Sequence, residues 1–246
     1  MSDFNEFDDQ GLVPARETGS IISHAFEMFK GTFLYVLLLL AITVVASTVL
    51  QMFSGIDSMG MMEEIRNAGN EYGSVDIWAM PGMKLYAGVS GLLGLLMTPL
   101  YVGLIYIFNK YNNKQKISAS DLFIGYKQDF LNIVLYGIIS SLILVIPIMM
   151  CVIPVFFVAP FLMLGYPVLL FENASVGAAL SKSFSIAKEN YGVFLGATIL
   201  GILISMSGLV LCIVGVYLTA YFGLAVAYSL YVAYLGKPRP LADNAQ

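Results

Sequence analysis

The stretch LNIVLYGIISSLILVIPIMMCVIPVFFVAPFLMLGYPVLLF, residues 131–171, contains no charged side chain. It is about twice as long as the roughly 20 residues that a helix needs to cross a bilayer core. Pro147 and Pro154 stand near its middle, and each removes a backbone donor that a continuous helix would use. The stretch therefore predicts two membrane-spanning helices joined by a tight turn.

Three other runs of the chain also lack charge. Residues 34–51 and 85–108 have the length of one span each, whereas residues 192–235 form another double run, with Gly208 and Gly215 near its middle. Hydrophobic residues make up 59% of the 246 residues and charged residues only 11%, against about 25% charged in a soluble domain. These features predict an all-α polytopic membrane protein with six transmembrane helices.

The positive charges predict the orientation of the spans. Cytoplasmic loops of membrane proteins carry the excess of Lys and Arg, so we expect both termini in the cytoplasm. Ten such residues fall on one predicted side and two on the other. The ten are Arg16, Lys30, Lys110, Lys114, Lys116, Lys127, Lys182, Lys188, Lys237 and Arg239, and the two are Arg66 and Lys84.

Three octets of related pattern precede apolar runs: FEMFKGTF (26–33), FIGYKQDF (123–130) and FSIAKENY (184–191). Each has a phenylalanine, a lysine four positions later and an aromatic residue three positions after that. We expect each octet to end an amphipathic helix that lies in the membrane interface, with its aromatic face at the head groups and its lysine reaching lipid phosphate. The candidate interfacial anchors are Phe26, Lys30, Phe33, Phe123, Lys127, Phe130, Phe184, Lys188 and Tyr191.

The helix before the second octet has its own start signal. Ser118 stands three residues ahead of Asp121, which is the spacing of a capping box that satisfies free amides at the beginning of a helix.

One offset relates several parts of the chain to one another. Lys127 and Lys188, Cys151 and Cys212, and Pro99 and Pro160 are all 61 positions apart. Lys30 and Lys127 are 97 apart, so the first copy would hold 36 additional residues, which we assign to an outer loop. The alternative is that membrane hairpins resemble one another and the lysines only mark the cytoplasmic side.

The repeat hypothesis fixes the predicted organisation of the chain as an internal repeat of an interfacial helix plus a helical hairpin. An acidic disordered tail comes first, then a six-span membrane domain, then a cytoplasmic tail. Their ranges are 1–17, 18–236 and 237–246, and the repeats are about 18–109 with outer loop 54–83, 118–172 and 173–235.

No catalytic, cofactor-binding or metal-binding constellation is evident, so we expect no enzyme and no cofactor. Ion-coupled transporters place ionisable groups inside their spans, and the predicted spans have none. His24, the only histidine, is expected to contact lipid head groups, and Cys151 and Cys212 are expected to be free thiols. The outer loop with its acidic residues is expected to be solvated, with Trp78 as an anchor in the membrane interface. A net charge of −4 argues against nucleic acid as a partner.

The stretch ENASVGAALSKSFSIAKENYGVF, residues 172–194, carries a family resemblance. It resembles the A-L-x-x-S pattern, followed by a basic residue and an Asn-aromatic pair, of the YciC-like bacterial six-span membrane family. That family is related to the membrane domain of some glycerophosphodiester phosphodiesterases. The resemblance implies a stand-alone module of unassigned activity, without a catalytic domain, in the bacterial inner membrane. The matching positions are Ala179, Leu180, Ser183, Lys188, Asn190 and Tyr191.

Two functions from different classes remain open. The leading hypothesis is a non-enzymatic membrane module that organises membrane lipids, a membrane-protein partner or a second copy of the chain. The alternative is a carrier or channel for a lipid-like or small apolar molecule, lined by serines and threonines of the spans. A cavity that reaches into the membrane would favour the carrier.

Overall fold

The computed structural model describes residues 13–55, 62–63, 66, 82–150, 153–208 and 219–238. Every regular element in these ranges is helical, and none of them forms a strand, which confirms the all-α prediction. The chain divides into two compact units, one of residues 1–40 and 98–246 and one of residues 41–97.

The described helices have the following order along the chain. Two 3-10 segments, Ala119–Phe123 and Ala159–Leu162, stand among the α-helices. The α-helices are α1 Thr18–Gly31, α2 Phe33–Ser54, α3 Met83–Asn112, α4 Ile124–Lys127, α5 Phe130–Met150, α6 Ile153–Val158, α7 Gly165–Glu172, α8 Val176–Glu189, α9 Tyr191–Ser207 and α10 Phe222–Leu235.

Four helical stretches are long and apolar enough to cross a membrane, namely α2, α3, α5 and the stretch Ile153–Glu172 that includes α6 and α7. A fifth is counted if the bent pair α8 and α9 is one span, and α10 is a shorter apolar helix. The chain is therefore an all-α polytopic membrane protein. Six spans remain a prediction.

Single residues separate each of two short helices from the longer helix that follows. Thr32 lies buried between α1 and α2 and donates its hydroxyl to the carbonyl of Met28 at 2.8 Å. Asn190 lies between α8 and α9, whose axes differ by 103°. The Asn190 side-chain amide donates to the Ile186 carbonyl at 3.0 Å, which satisfies an acceptor that a helix end leaves free.

Pro147 lies inside α5 and Pro154 in the first turn of α6. Residues 151 and 152 between these helices are not among the described residues, so the turn stays a prediction. Cys151, Cys212, Trp78, most of the outer loop and the first twelve residues lie outside the described residues, so the predictions made for them stay predictions. The capping prediction is supported at Ser118, whose backbone amide donates to the Asp121 carboxylate at 2.7 Å.

The core of the unit that contains the termini is formed by the helices that come second in each predicted hairpin. All residues from 225 to 233 in α10 and from 102 to 109 in α3 are buried. A helix that is apolar all round requires such a position. The Tyr228 ring of α10 lies 6.2 Å from Phe108 of α3 and 6.3 Å from Phe171 of α7.

The unit of residues 41–97 has a different character. Its described helical residues are almost all exposed or half-buried, and they include exposed apolar side chains such as Met52, Phe53 and Leu92, with exposures of 79%, 84% and 61%. Contiguous apolar exposure of this kind is typical of a surface that faces lipid.

Candidate functional site: three short helices and an apolar cavity

Helix α1 packs antiparallel against α10. Phe26 contacts Phe222 with ring centroids 4.7 Å apart, and His24 hydrogen-bonds through Nδ1 to the Ser229 hydroxyl at 2.8 Å. Ser229 also donates to a carbonyl of its own helix, so its hydroxyl hydrogen is used there and Nδ1 is the donor. His24 is only 4% exposed. The expectation that it contacts lipid head groups is therefore wrong.

The 119–127 segment, formed by the first 3-10 segment and α4, packs antiparallel against α3. Lys110 of α3 donates to the Asp121 carboxylate at 2.9 Å. Two glycines allow the backbones to approach. A Cβ at Gly103 would overlap the Leu122 carbonyl, and a Cβ at Gly125 would overlap the Pro99 carbonyl of α3. Only glycine fits such close backbone contacts.

Helix α8 packs antiparallel against the stretch from residue 157 to residue 172. Lys182 donates to the Glu172 carboxylate at 2.6 Å. Ser183 donates its hydroxyl to the Phe161 carbonyl at 2.6 Å, and the Phe184 ring stacks on Phe161 at 4.8 Å. The Tyr191 hydroxyl donates to the Phe157 carbonyl, at the start of the same stretch, at 3.2 Å.

The three short helices share one pattern when they are aligned on their lysines. Six positions before the lysine stands the residue with the polar contact, which is His24, Asp121 or Lys182. Five positions before it stands a residue with no exposure: Ala25, Leu122 and Ser183. Four positions before it stand Phe26, Phe123 and Phe184, which are 48%, 43% and 51% exposed.

The other candidate anchors have exposed or half-buried positions. Lys30, Lys127 and Lys188 are exposed, and Phe33 is 38% exposed. Each aromatic residue that ends an octet contacts a ring nearby, since Phe33 contacts Phe29, Phe130 contacts Tyr126 and Tyr191 contacts Phe161. Every anchor set thus has its own local packing.

A polar cluster that the sequence analysis missed lies where α3, α7 and α10 meet. The Tyr228 hydroxyl donates to Asn109 and accepts from Asn112, both at 3.1 Å. Tyr231 donates to Glu172 at 3.3 Å. The sequence feature that could have predicted this cluster is the pair of asparagines at the end of an apolar run, because buried amides require hydrogen-bond partners.

A cavity of about 770 Å³ lies among α5, the second 3-10 segment, α7, α9 and α10. Its volume is in the range of sites that bind small ligands. The lining side chains are mostly apolar, with no charged residue among them. The hydroxyls of Ser140, Ser141 and Ser205 line it and donate to carbonyls of their own helices.

A second hollow of about 570 Å³ lies beside α8. It is lined by apolar side chains of α5, α6 and the second 3-10 segment together with Leu180, Ser181 and Phe184. An anchor phenylalanine therefore forms part of a concave apolar surface.

Within the described ranges, no group of three or more His, Cys, Asp or Glu side chains is placed to hold a metal ion. No protein-family model matches the chain, and neither the curated proteins nor the solved structures include a match. The site must be interpreted from its own geometry.

Proposed function

We propose that the protein is a non-enzymatic membrane module that organises lipids or partner proteins at the cytoplasmic face. The observation that carries this proposal is the common exposure of Phe26, Phe123 and Phe184, which are all about half exposed on short helices. Each is followed four positions later by an exposed lysine. An exposed aromatic ring beside a cation suits the head-group region, where a lysine near anionic lipid contributes about 1 kcal/mol.

The module is built of three units, each a short helix followed by two spans, for six spans in all. The shared register of polar contact, buried residue and half-exposed phenylalanine supports this organisation. The partner of each short helix supports it too. Helix α1 of the first unit packs on the second span of the third unit, the 119–127 segment of the second unit packs on the second span of the first, and α8 of the third unit packs on the second span of the second. Packing in this cyclic order joins the first unit to the last.

All units then have the same orientation, because two spans return the chain to its starting side. The Lys and Arg distribution places the short helices and both termini in the cytoplasm. We further propose membership of the YciC-like family and a location in the bacterial inner membrane, on the residues of the 172–194 stretch.

Topology is tested by labelling. A cysteine at Ser74, in a chain whose native cysteines are replaced, should react with an impermeant thiol reagent in intact cells. A cysteine at Ser2 should react only after lysis. Labelling at Ser2 with protection at Ser74 would reverse the orientation.

The anchoring role is tested by extraction of the protein with its lipids. Phe26→Ala, Phe123→Ala and Phe184→Ala should each lower the number of phospholipids that remain bound per chain, measured by native mass spectrometry. Leu142→Ala and Leu203→Ala are matched controls, since these side chains are 63% and 55% exposed on α5 and α9. Equal lipid retention in the phenylalanine and control variants would contradict the lipid role. If the phenylalanine variants lose a co-purifying protein but retain their lipids, the short helices bind a protein partner rather than lipids.

The carrier alternative has one specific observation in its favour, which is the apolar cavity with hydroxyl groups in its wall. Uptake of a lipid-like probe into vesicles that contain the protein would support transport. Binding without uptake would support a module.

A further inference from the structure

The cavity among α5, α7, α9 and α10 has features of a binding site rather than of loose packing. Thr198 lines it, is 3% exposed, and its Oγ1 makes no hydrogen bond within the described residues. A buried hydroxyl without a partner is costly, and this one can be satisfied by a ligand that brings an acceptor atom.

The cavity also has free space next to its wall. A Cβ added at Gly223 would meet nothing within 4 Å. Protein interiors are closely packed, whereas this hollow is open to the outside of the helices and can admit a molecule from there. The chain is a membrane protein, and the molecules that surround its apolar helices are lipids.

The lining residues of the cavity are related by the 61-residue offset. Fourteen of the seventeen lining residues form seven pairs that are 61 positions apart, so the two predicted hairpins present equivalent faces to the cavity. In one pair Leu162 corresponds to Gly223, and in another Tyr166 corresponds to Ala227. The space exists because the third hairpin has small residues where the second has large ones.

We propose that this cavity binds the acyl-ester chain of a lipid. The hydrocarbon lies against the apolar wall, and the ester carbonyl accepts a hydrogen bond from the Thr198 hydroxyl. The wall lacks charge, so a charged head group stays outside. The inference rests on the proposed membrane module for its bilayer setting, but it does not depend on the anchor phenylalanines.

The site is tested with the full chain in vesicles of phosphatidylethanolamine and phosphatidylglycerol. One arm adds a diacyl phospholipid with a diazirine near the ester end of one chain, and the other adds a monoacylglycerol with the same group. After irradiation, fragments are mapped by mass spectrometry. We expect label on the fragments that contain Thr198 and Gly223, from at least one probe. The probe that labels tells whether the chain belongs to a bilayer phospholipid or to a single-chain lipid.

Two variants separate this site from general lipid contact. Gly223→Leu gives the third hairpin the leucine that the second hairpin has at Leu162, and it should reduce labelling several-fold. A thermal unfolding transition checks that this variant is folded. Gly192→Leu is its control, because a Cβ there also meets nothing within 4 Å and the residue lies outside the cavity. Unchanged labelling in Gly223→Leu, or label spread evenly over exposed α9 residues such as Leu203, would overturn the proposal.

Thr198→Val tests the hydrogen bond without changing the volume. The wild-type chain should label more with the ester probe than with its ether analogue, and Thr198→Val should abolish that preference. Equal labelling by ester and ether in the wild type would remove the role of Thr198. If the phenylalanine variants retain lipid as the controls do while the cavity is labelled, the membrane module fails and this inference stands. If those variants lose lipid while the wild-type cavity is not labelled, this inference fails and the module stands.

Discussion

The contact of α1 with α10 and the contact of α8 with α7 use the same position of a short helix in different ways. His24 is 4% exposed and makes a hydrogen bond to the neutral Ser229. Lys182 and Glu172 form an ion pair whose side chains are 38% and 29% exposed. The comparison shows that burial decides the chemistry of the contact, because a charge removed from water requires far more compensation than an imidazole and a hydroxyl.

The 119–127 segment lies between these cases. The side chains of Lys110 and Asp121 are 18% and 12% exposed, and glycines bring the backbones together. We therefore expect the free energy of unfolding, measured by titration with denaturing detergent, to depend on each contact in a definite order.

The largest effect is expected for Gly103→Ala. The new Cβ would overlap the Leu122 carbonyl, and since backbone cannot move aside as a side chain does, the loss should reach about 3 kcal/mol. Gly88→Ala on the same helix is the control, because a Cβ there meets nothing, and it should be neutral or stabilising by up to about 1 kcal/mol. Equal effects of the two changes would mean that the close approach is absent.

Ser229→Ala should have the next largest effect. It removes the hydroxyl that accepts from His24 in a buried site, and the loss should be about 2 kcal/mol. The exposed Ser207, which donates to the Ile204 carbonyl of its own helix, provides the control Ser207→Ala, for which little change is expected. If both variants unfold like the wild type, α1 does not depend on this contact.

Asp121→Asn should cost less, about 1 kcal/mol, because its ion pair with Lys110 is partly hydrated and lies between the exposed and the buried cases. The loss should shrink as salt is added. Glu189→Gln, a neutralised exposed carboxylate on α8, controls for net charge. A loss that is independent of salt would point to the Ser118 amide contact instead.

Lys182→Met should have the smallest effect, below about 0.5 kcal/mol, since exposed ion pairs are screened and lose side-chain entropy. A double-variant cycle with Glu172→Gln measures the pair itself, because Glu172 also accepts from Tyr231. A coupling as large as the Ser229→Ala effect would reverse the comparison.

The sequence was informative about local structure and less so about partners. Absence of charge predicted the helical stretches, and Ser118 with Asp121 predicted a helix start. The partner of His24 could not be predicted, since it lies 205 residues away and an apolar helical face does not identify the face that it contacts. The cavity was equally hidden, because it depends on how the small residues of the third hairpin pack beside the larger ones of the second.

The contact between α1 and α10 also has a consequence for biosynthesis. The first described helix emerges from the ribosome long before the last one, and the His24–Ser229 bond joins residues 205 apart. At about 5–20 residues per second, α1 waits on the order of 10 to 40 s for its partner. During that time α10 is not there to cover the buried face of α1, which includes Ile21 and Met28, so the membrane surface, the insertion machinery or a chaperone has to shield it.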